Sequence, residues 1–220
     1  MQQYLSDIRQ CLLFERIDDE GIIKTLTCLN VQLIPCEKWK VVLHQGDKPN
    51  YFGVVVQGGV QVIASDSFGN HSVLWSIGPG ELFGETYASA GVEGYPASFV
   101  AAQDSLVMVL EYERVIRGCL NNGCIAHSYM VTNLLKSIGR KNLLLTQKLE
   151  FVSQRTTRDK LMAYLRAQRK EANKERFTIP YDRQTLADYL GVERSAMSAE
   201  LSKMKKDGLI NYKKNEFEIL

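Results

Sequence analysis

Between Asp182 and Gly208 two amphipathic segments are separated by only three residues, which leaves little freedom in how they can pack. Asp182-Arg-Gln-Thr-Leu-Ala-Asp-Tyr-Leu190 opens on a capping Asp and puts Leu186, Ala187 and Leu190 on one helical face. Gly191-Val-Glu193 is the turn, with Gly where a helix most easily ends in a left-handed conformation. The second helix is expected from about Arg194 to Asp207, stopping at Gly208. Met197, Leu201 and Met204 form its apolar stripe and leave Ser195, Ser198, Ala199 and Ser202 on the opposite face. Small polar side chains on a helix face let it approach base edges closely, as a major-groove recognition helix must. The tail Leu209–Leu220 reads as a hairpin turning near Lys214-Asn215, a wing with lysines at its tip.

Charge follows the same division. Residues 151–220 hold 15 Lys and Arg against 10 Asp and Glu, a net +5, and residues 1–150 hold 12 against 15, a net −3. A basic third on a mildly acidic body suits a module that meets phosphate, although ordinary surface charge reaches such values too. The start Met1-Gln-Gln-Tyr-Leu-Ser-Asp carries no basic-then-apolar signal pattern, and no apolar run has membrane-crossing length. Five scattered cysteines, at 11, 28, 36, 119 and 124, argue against a disulfide scaffold and for a reducing cytoplasm.

From about Val31 to Tyr112 short β-branched runs alternate with turn clusters such as Gln45-Gly-Asp-Lys-Pro-Asn50, Gly58-Gly59, Ser67-Phe-Gly-Asn70 and Gly78-Pro-Gly80. Many short strands at close spacing predict a small barrel or jelly roll, preceded over Leu5–Leu29 by one or two short helices. From Ile125 to Val152 the period changes. Val131, Leu135, Ile138, Asn142, Leu145, Leu149 and Val152 recur at alternating spacings of four and three, a heptad seam for a homodimer. Asn142 falls at an a position, where paired Asn side chains fix a parallel, in-register dimer. Leu134, Leu143 and Leu144 widen the apolar face, so the helix can also pack along the barrel. The polar stretch Ser153–Arg158 reads as a hinge, followed by a helix over Asp159–Arg169 and a short strand at Phe177-Thr-Ile-Pro180. The expected fold is α+β: a β-roll sensor over 1–120, a dimerisation helix over 121–152 and a winged helix-turn-helix over 153–220.

This order, with Gly46-Asp47, Gly80-Glu-Leu-Phe-Gly-Glu85, Ala97-Ser-Phe-Val-Ala-Ala-Gln-Asp-Ser105, Arg183–Gly191 and Glu200–Ile210, resembles the Crp/Fnr family of bacterial transcription regulators along nearly the whole chain. The resemblance implies an effector pocket at Phe83, Gly84, Glu85, Thr86, Tyr95, Pro96 and Ala97, with Glu85 in the place of the family's ribose-binding Glu. Nucleotide-binding members carry an Arg and then a Ser or Thr ten residues after that Glu. Here Tyr95 and Pro96 stand there instead. Tyr offers no fixed positive charge and Pro no N–H, so cyclic AMP is not expected as the effector. The effector is left unknown, a small molecule being one option.

The oxygen-sensing branch binds an iron–sulfur cluster through closely spaced N-terminal cysteines. Cys11, Cys28 and Cys36 are too far apart to match it, so no cluster is expected. A thiol switch at Cys119 and Cys124 is a further option, because a cysteine in the first turn of the long helix would have its thiolate favoured by the dipole. The alternative is a pair of small apolar residues under the barrel. His44, His71 and His127 show no paired ligand spacing, so neither a metal-dependent barrel enzyme nor haem at His71 is expected.

On the DNA side the family's Glu and Arg are replaced by Ser195 and Ala199, with Arg194 retained. The resemblance assigns base contacts to Arg194, Ser195, Ser198 and Ser202, and phosphate contacts to Arg183, Gln184, Lys203, Lys213 and Lys214. The expected partners are a palindromic double-stranded operator, a second copy of the chain, and RNA polymerase as a further candidate. No membrane and no catalysis of its own are expected. An orphan regulator whose roll only supports the dimer is the competing expectation.

Overall fold

A computed structural model describes residues 2–65, 71–118 and 124–220, which form two compact units dividing at Arg140 and Lys141. The turn expected at Ser67–Asn70 lies outside the described residues.

In the first unit, α1 (Leu5–Ile8), a 3-10 turn at Leu12–Phe14 and α2 (Asp19–Cys28) precede the strands. Asp18 caps α2 by accepting from the Gly21 amide at 2.8 Å, and Asp19 and Glu20 in its first turn complement the helix dipole. The roll is built from β1 (Gln32–Cys36), β2 (Val41–Leu43), β3 (Tyr51–Gln57), β4 (Val60–Ser65), β5 (His71–Ile77), β6 (Leu82–Phe83), β7 (Ser98–Ala101) and β8 (Ser105–Glu111). α3 (Glu85–Ala90) follows β6, and α4 (Tyr112–Arg117) follows β8. The strands pair antiparallel in two sheets, β1-β8-β3-β6 and β2-β7-β4-β5, so successive strands alternate between the sheets except for the β4–β5 hairpin, as in the predicted jelly roll.

Strand β3 shows how alternation builds two cores. Phe52, Val54 and Val56 face a cluster with Leu13, Ile22, Leu26, Met108 and Leu110, and Val55 faces the roll interior with Val60, Phe83, Phe99 and Val107. Gly53 is needed between them, because a Cβ there would lie 2.0 Å from the Phe83 ring. β7 was not foreseen as a strand. Its Ser98-Phe-Val-Ala101 run is short, and it is held by pairing with both β2 and β4.

The long helix α5 runs over Ile125–Val152, as predicted from the heptad period. Met130 and Leu134 bury in the first core, and Asn133 donates to the Leu13 and Glu15 carbonyls at 3.2 and 2.8 Å. The compact units therefore divide inside this helix, where the sequence pointed to it as a segment of its own.

The second unit continues from α5 into α6 (Thr157–Ala172), β9 (Arg176–Thr178), α7 (Arg183–Leu190), α8 (Arg194–Lys206), β10 (Ile210–Lys213) and β11 (Glu216–Ile219), with sheet order β10-β11-β9. Its core joins Phe151, Leu161, Leu165, Phe177, Leu186, Leu190, Met197, Leu201, Met204 and Phe217. The hinge reading of Ser153–Arg158 is corrected in two ways. Thr157 and Arg158 belong to α6, which Thr156 caps by accepting from the Asp159 amide at 3.1 Å. The remaining loop is bracketed by anchors: Phe151 is buried against Tyr164 at 5.7 Å, and Arg158 binds Glu200 at 2.5 Å and Asp207 at 2.8 Å. Polarity alone suggested freedom, but the charges are those that tie α6 to α8.

Candidate nucleic-acid interface

The helix-turn-helix is α7, a turn at Gly191-Val-Glu193, and α8. Asp182 accepts from the Thr185 amide at 2.8 Å, and Gly191 closes α7 at a φ of 60°, where other residues are strained. Met197, Leu201 and Met204 are buried, as the periodicity required, and pack α8 into the core. Ser195, Ala199 and Ser202 are exposed and Ser198 is half-buried, so the polar face is turned outward.

The residue that fixes the start of α8 was missed. Glu193 caps it, accepting from the Ser195 and Ala196 amides at 2.9 and 2.7 Å and from the Ser195 hydroxyl. The Ser195 hydroxyl and these two amides hold the Glu193 carboxyl below the usual carboxylate range. Glu is not among the preferred capping residues, so sequence pattern offers little signal for it. Two of the serines expected to contact bases bond back to the helix: Ser198 donates to the Arg194 carbonyl at 2.9 Å and Ser202 to the Ser198 carbonyl at 3.0 Å.

Arg194, Lys203, Lys213 and Lys214 are exposed, with the last two at the tip of the β10–β11 hairpin. Lys214 takes a φ of 52° in that turn. Gln184 is exposed too, its side-chain amide donating to Asp188 at 2.9 Å. Arg183 differs from the expected free phosphate contact. Its guanidinium lies over the Tyr212 and Phe217 rings, at 5.2 and 5.1 Å, and donates to the Lys214 carbonyl at 2.8 Å. Burial pulls its pKa below the ordinary guanidinium value, and the arrangement makes it a brace beneath the wing.

The proposed effector residues do not form one surface. Phe83, Tyr95 and Ala97 point into the roll core, whereas Thr86 and Pro96 are exposed. Glu85 is buried at 1% exposure, and Gly84 before it holds a φ of 78°. The Tyr95 ring packs edge-on against Phe99 at 5.7 Å and Tyr87 at 6.3 Å, and its hydroxyl donates to the Tyr51 carbonyl. Burial pushes the Tyr95 phenol above its usual pKa. Where the resemblance implies a cation, this chain has an aromatic ring packed into the roll core.

Among the seam residues of α5, Leu135, Leu145 and Leu149 are 63%, 58% and 65% exposed, and Leu143 and Leu144 are exposed beside them. Val131 and Ile138 are half-buried, and Asn142 is exposed. Cys124 directly precedes α5, its carbonyl accepting from the Ser128 amide at 3.1 Å, and Cys119 lies outside the described residues. Among the described residues Cys11, Cys28, Cys36 and Cys124 form no disulfide, Cys11 Sγ accepts from the Leu13 amide, and burial pushes the Cys36 thiol up. Among the described residues no group of three or more His, Cys, Asp or Glu is placed to hold a metal ion. His127 instead bonds the Val115 carbonyl at 2.7 Å, and among the described residues no helix is long and apolar enough to cross a membrane.

A β-roll, a long helix and a winged helix-turn-helix together define a DNA-binding transcription regulator. The family of the cyclic nucleotide-binding domain matches residues 34–122, and that of the Crp-like helix-turn-helix domain matches residues 159–220. The chain belongs to the Crp/Fnr family. Its fold is similar to that of the Thermus thermophilus catabolite activator protein, at 23% identity over 95% of this chain and 93% of that one, with a TM-score of 0.50. It is also similar to the c-di-GMP-responsive global regulator CLP of Xanthomonas campestris, at 19% identity over 92% and 99% of the two chains, with a TM-score of 0.55. CprK in complex with OCPA aligns at 13% identity over 91% and 89%, with a TM-score of 0.63.

Proposed function

We propose that the protein is a homodimeric, non-catalytic regulator that reads a palindromic operator, and that its signal is not cyclic AMP. One observation carries the dimer: the seam leucines Leu135, Leu145 and Leu149 stand exposed on one helix with Asn142 between them. Such a stripe is costly in water and is satisfied by a second copy of the same helix. Two heads related by a two-fold axis would meet half-sites about 34 Å apart. The absence of any disulfide among the described cysteines supports work in a reducing compartment.

Tyr95 supports the reading against cyclic AMP. A buried phosphodiester needs a paired cation, and the position holds a ring bonded to the Tyr51 carbonyl. A regulator of similar fold is described as responsive to c-di-GMP, so this fold does not dictate one nucleotide. The same ring favours a second reading, in which the roll is a scaffold and the regulator has no small-molecule effector. Operator affinity of aerobic, reduced and lysate-incubated protein separates the two, because a scaffold would give one value throughout. The DNA reading is tested at Arg194: replacement by Ala should cost about 1–3 kcal/mol on the selected operator and less on random duplex. Equal losses would make Arg194 a phosphate contact only.

A further inference from the structure

The recognition serines carry a restriction that composition does not show. A free serine hydroxyl can either donate to a base edge or accept from one, and so discriminates poorly. In α8 this freedom is removed. Carbonyl oxygens cannot donate, so Ser198 and Ser202 must supply the protons in their bonds to the Arg194 and Ser198 carbonyls, at 2.9 and 3.0 Å. Ser195 spends its proton on the Glu193 carboxylate, which also holds the Ser195 and Ala196 amides and stays ionised. All three hydroxyls therefore present only lone pairs outward.

In the major groove each base pair offers one amino donor, the N6 of adenine or the N4 of cytosine. Guanine O6 and thymine O4 are acceptors. A fixed acceptor facing them meets lone pair with lone pair, unless the serine first breaks its bond within the helix.

We propose that Ser195, Ser198 and Ser202 read their half-site as fixed acceptors that select adenine or cytosine over guanine or thymine, and that Glu193 is the positioning residue that fixes the Ser195 hydroxyl. The inference rests on the reading of α8 as the base-contacting helix. Arg194, a donor only, has the opposite preference and suits guanine. The half-site thus combines one keto base read by Arg194 with amino bases read by the serines.

The test uses the full chain and duplexes selected from a random pool. In the selected operator, single adenines are replaced by the 6-deamino purine and single cytosines by the 4-deamino pyrimidine. Each contacted position should lose about twofold to tenfold in affinity, the worth of one neutral hydrogen bond. The matching Ser→Ala protein, shown by circular dichroism to be folded, should lose nothing further at that position. A base pair that responds to Ser→Ala but loses nothing when its amino base is replaced by the deamino analogue would overturn the code. So would deamino losses that are the same with and without the serine.

Glu193→Ser keeps a capping side chain but releases the Ser195 hydroxyl. The preference for amino bases should then relax at one position and persist at the others; an unchanged preference overturns the part given to Glu193. Retained affinity for random duplex without any amino preference rejects only the code. Absence of binding to every duplex rejects the DNA reading and the code with it.

Discussion

Arg183 and Lys214 join the first residue of α7 to the turn of the wing: the guanidinium donates to the Lys214 carbonyl at 2.8 Å across two aromatic rings. The wing is therefore held in register with the helix-turn-helix by a side chain that would otherwise be counted as a phosphate ligand. Arg183→Lys keeps the charge but loses the planar stack and the fork. About 2 kcal/mol of stability should go with it, the combined scale of a cation–π contact and a charged hydrogen bond. DNA affinity should fall evenly for specific and random duplexes. Denaturant unfolding and paired binding titrations check both; a loss confined to the specific operator would make Arg183 a base reader.

Leu145 and Leu149 are exposed, so changing them leaves each folded copy nearly untouched. Leu145→Asp with Leu149→Asp should convert a dimer into a folded monomer in sedimentation experiments, with circular dichroism unchanged. Affinity for a palindrome should drop by about a hundredfold or more as bivalency is lost, and affinity for an isolated half-site should stay level. A double variant that remains dimeric would move the interface elsewhere.

Tyr95→Phe removes the bond to the Tyr51 carbonyl but preserves the ring packing, and should destabilise by about 1 kcal/mol. Tyr95→Ala opens a cavity in the roll and should cost about 3–5 kcal/mol. Calorimetric titration of the unaltered protein with cyclic AMP should show no binding at micromolar ligand, and a clear micromolar isotherm would reject the cation argument.

Asp182 and Glu193 both cap helix starts; the Thr185 amide for Asp182, and the Ser195 hydroxyl with the Ser195 and Ala196 amides for Glu193, keep their pKa values below the ordinary 3.8 and 4.5. Carboxyls lowered in the folded state contribute stability that is present above their unfolded pKa values and is lost as pH falls through the folded ones. The melting temperature should therefore be flat near neutrality and decline below about pH 4.5. Asp182→Asn still caps α7 but cannot titrate, so its decline should be shallower. Parallel curves for the two proteins would remove Asp182 from the acid response.

The sequence revealed what repeats and concealed what is held by a single long-range bond. The bounds of α5, the buried stripe of α8 and the hairpin turn at Lys214-Asn215 all follow from periodicity and turn chemistry, and the structure has them there. β7 was hidden because two flanking strands, rather than its own four residues, stabilise it. Arg158 read as part of a polar hinge and Arg183 as a phosphate contact because their partners, Glu200, Asp207 and Lys214, lie some 31 to 49 residues away along the chain. Tyr95 was legible as a missing charge, but its role as a plug needed the geometry of Phe99 and Tyr87.

That plug sets a condition on any molecule that would signal through the roll. The ligand would arrive as a competitor of the protein's own phenol, and its apparent dissociation constant would be its intrinsic one divided by the fraction of time the ring stands aside. At a displaced fraction of one in a hundred, a ligand of nanomolar intrinsic affinity would act at about a tenth of a micromolar. For such a ligand, sensitivity would be tuned by how firmly Tyr51 holds Tyr95, without any change in the groups that touch it.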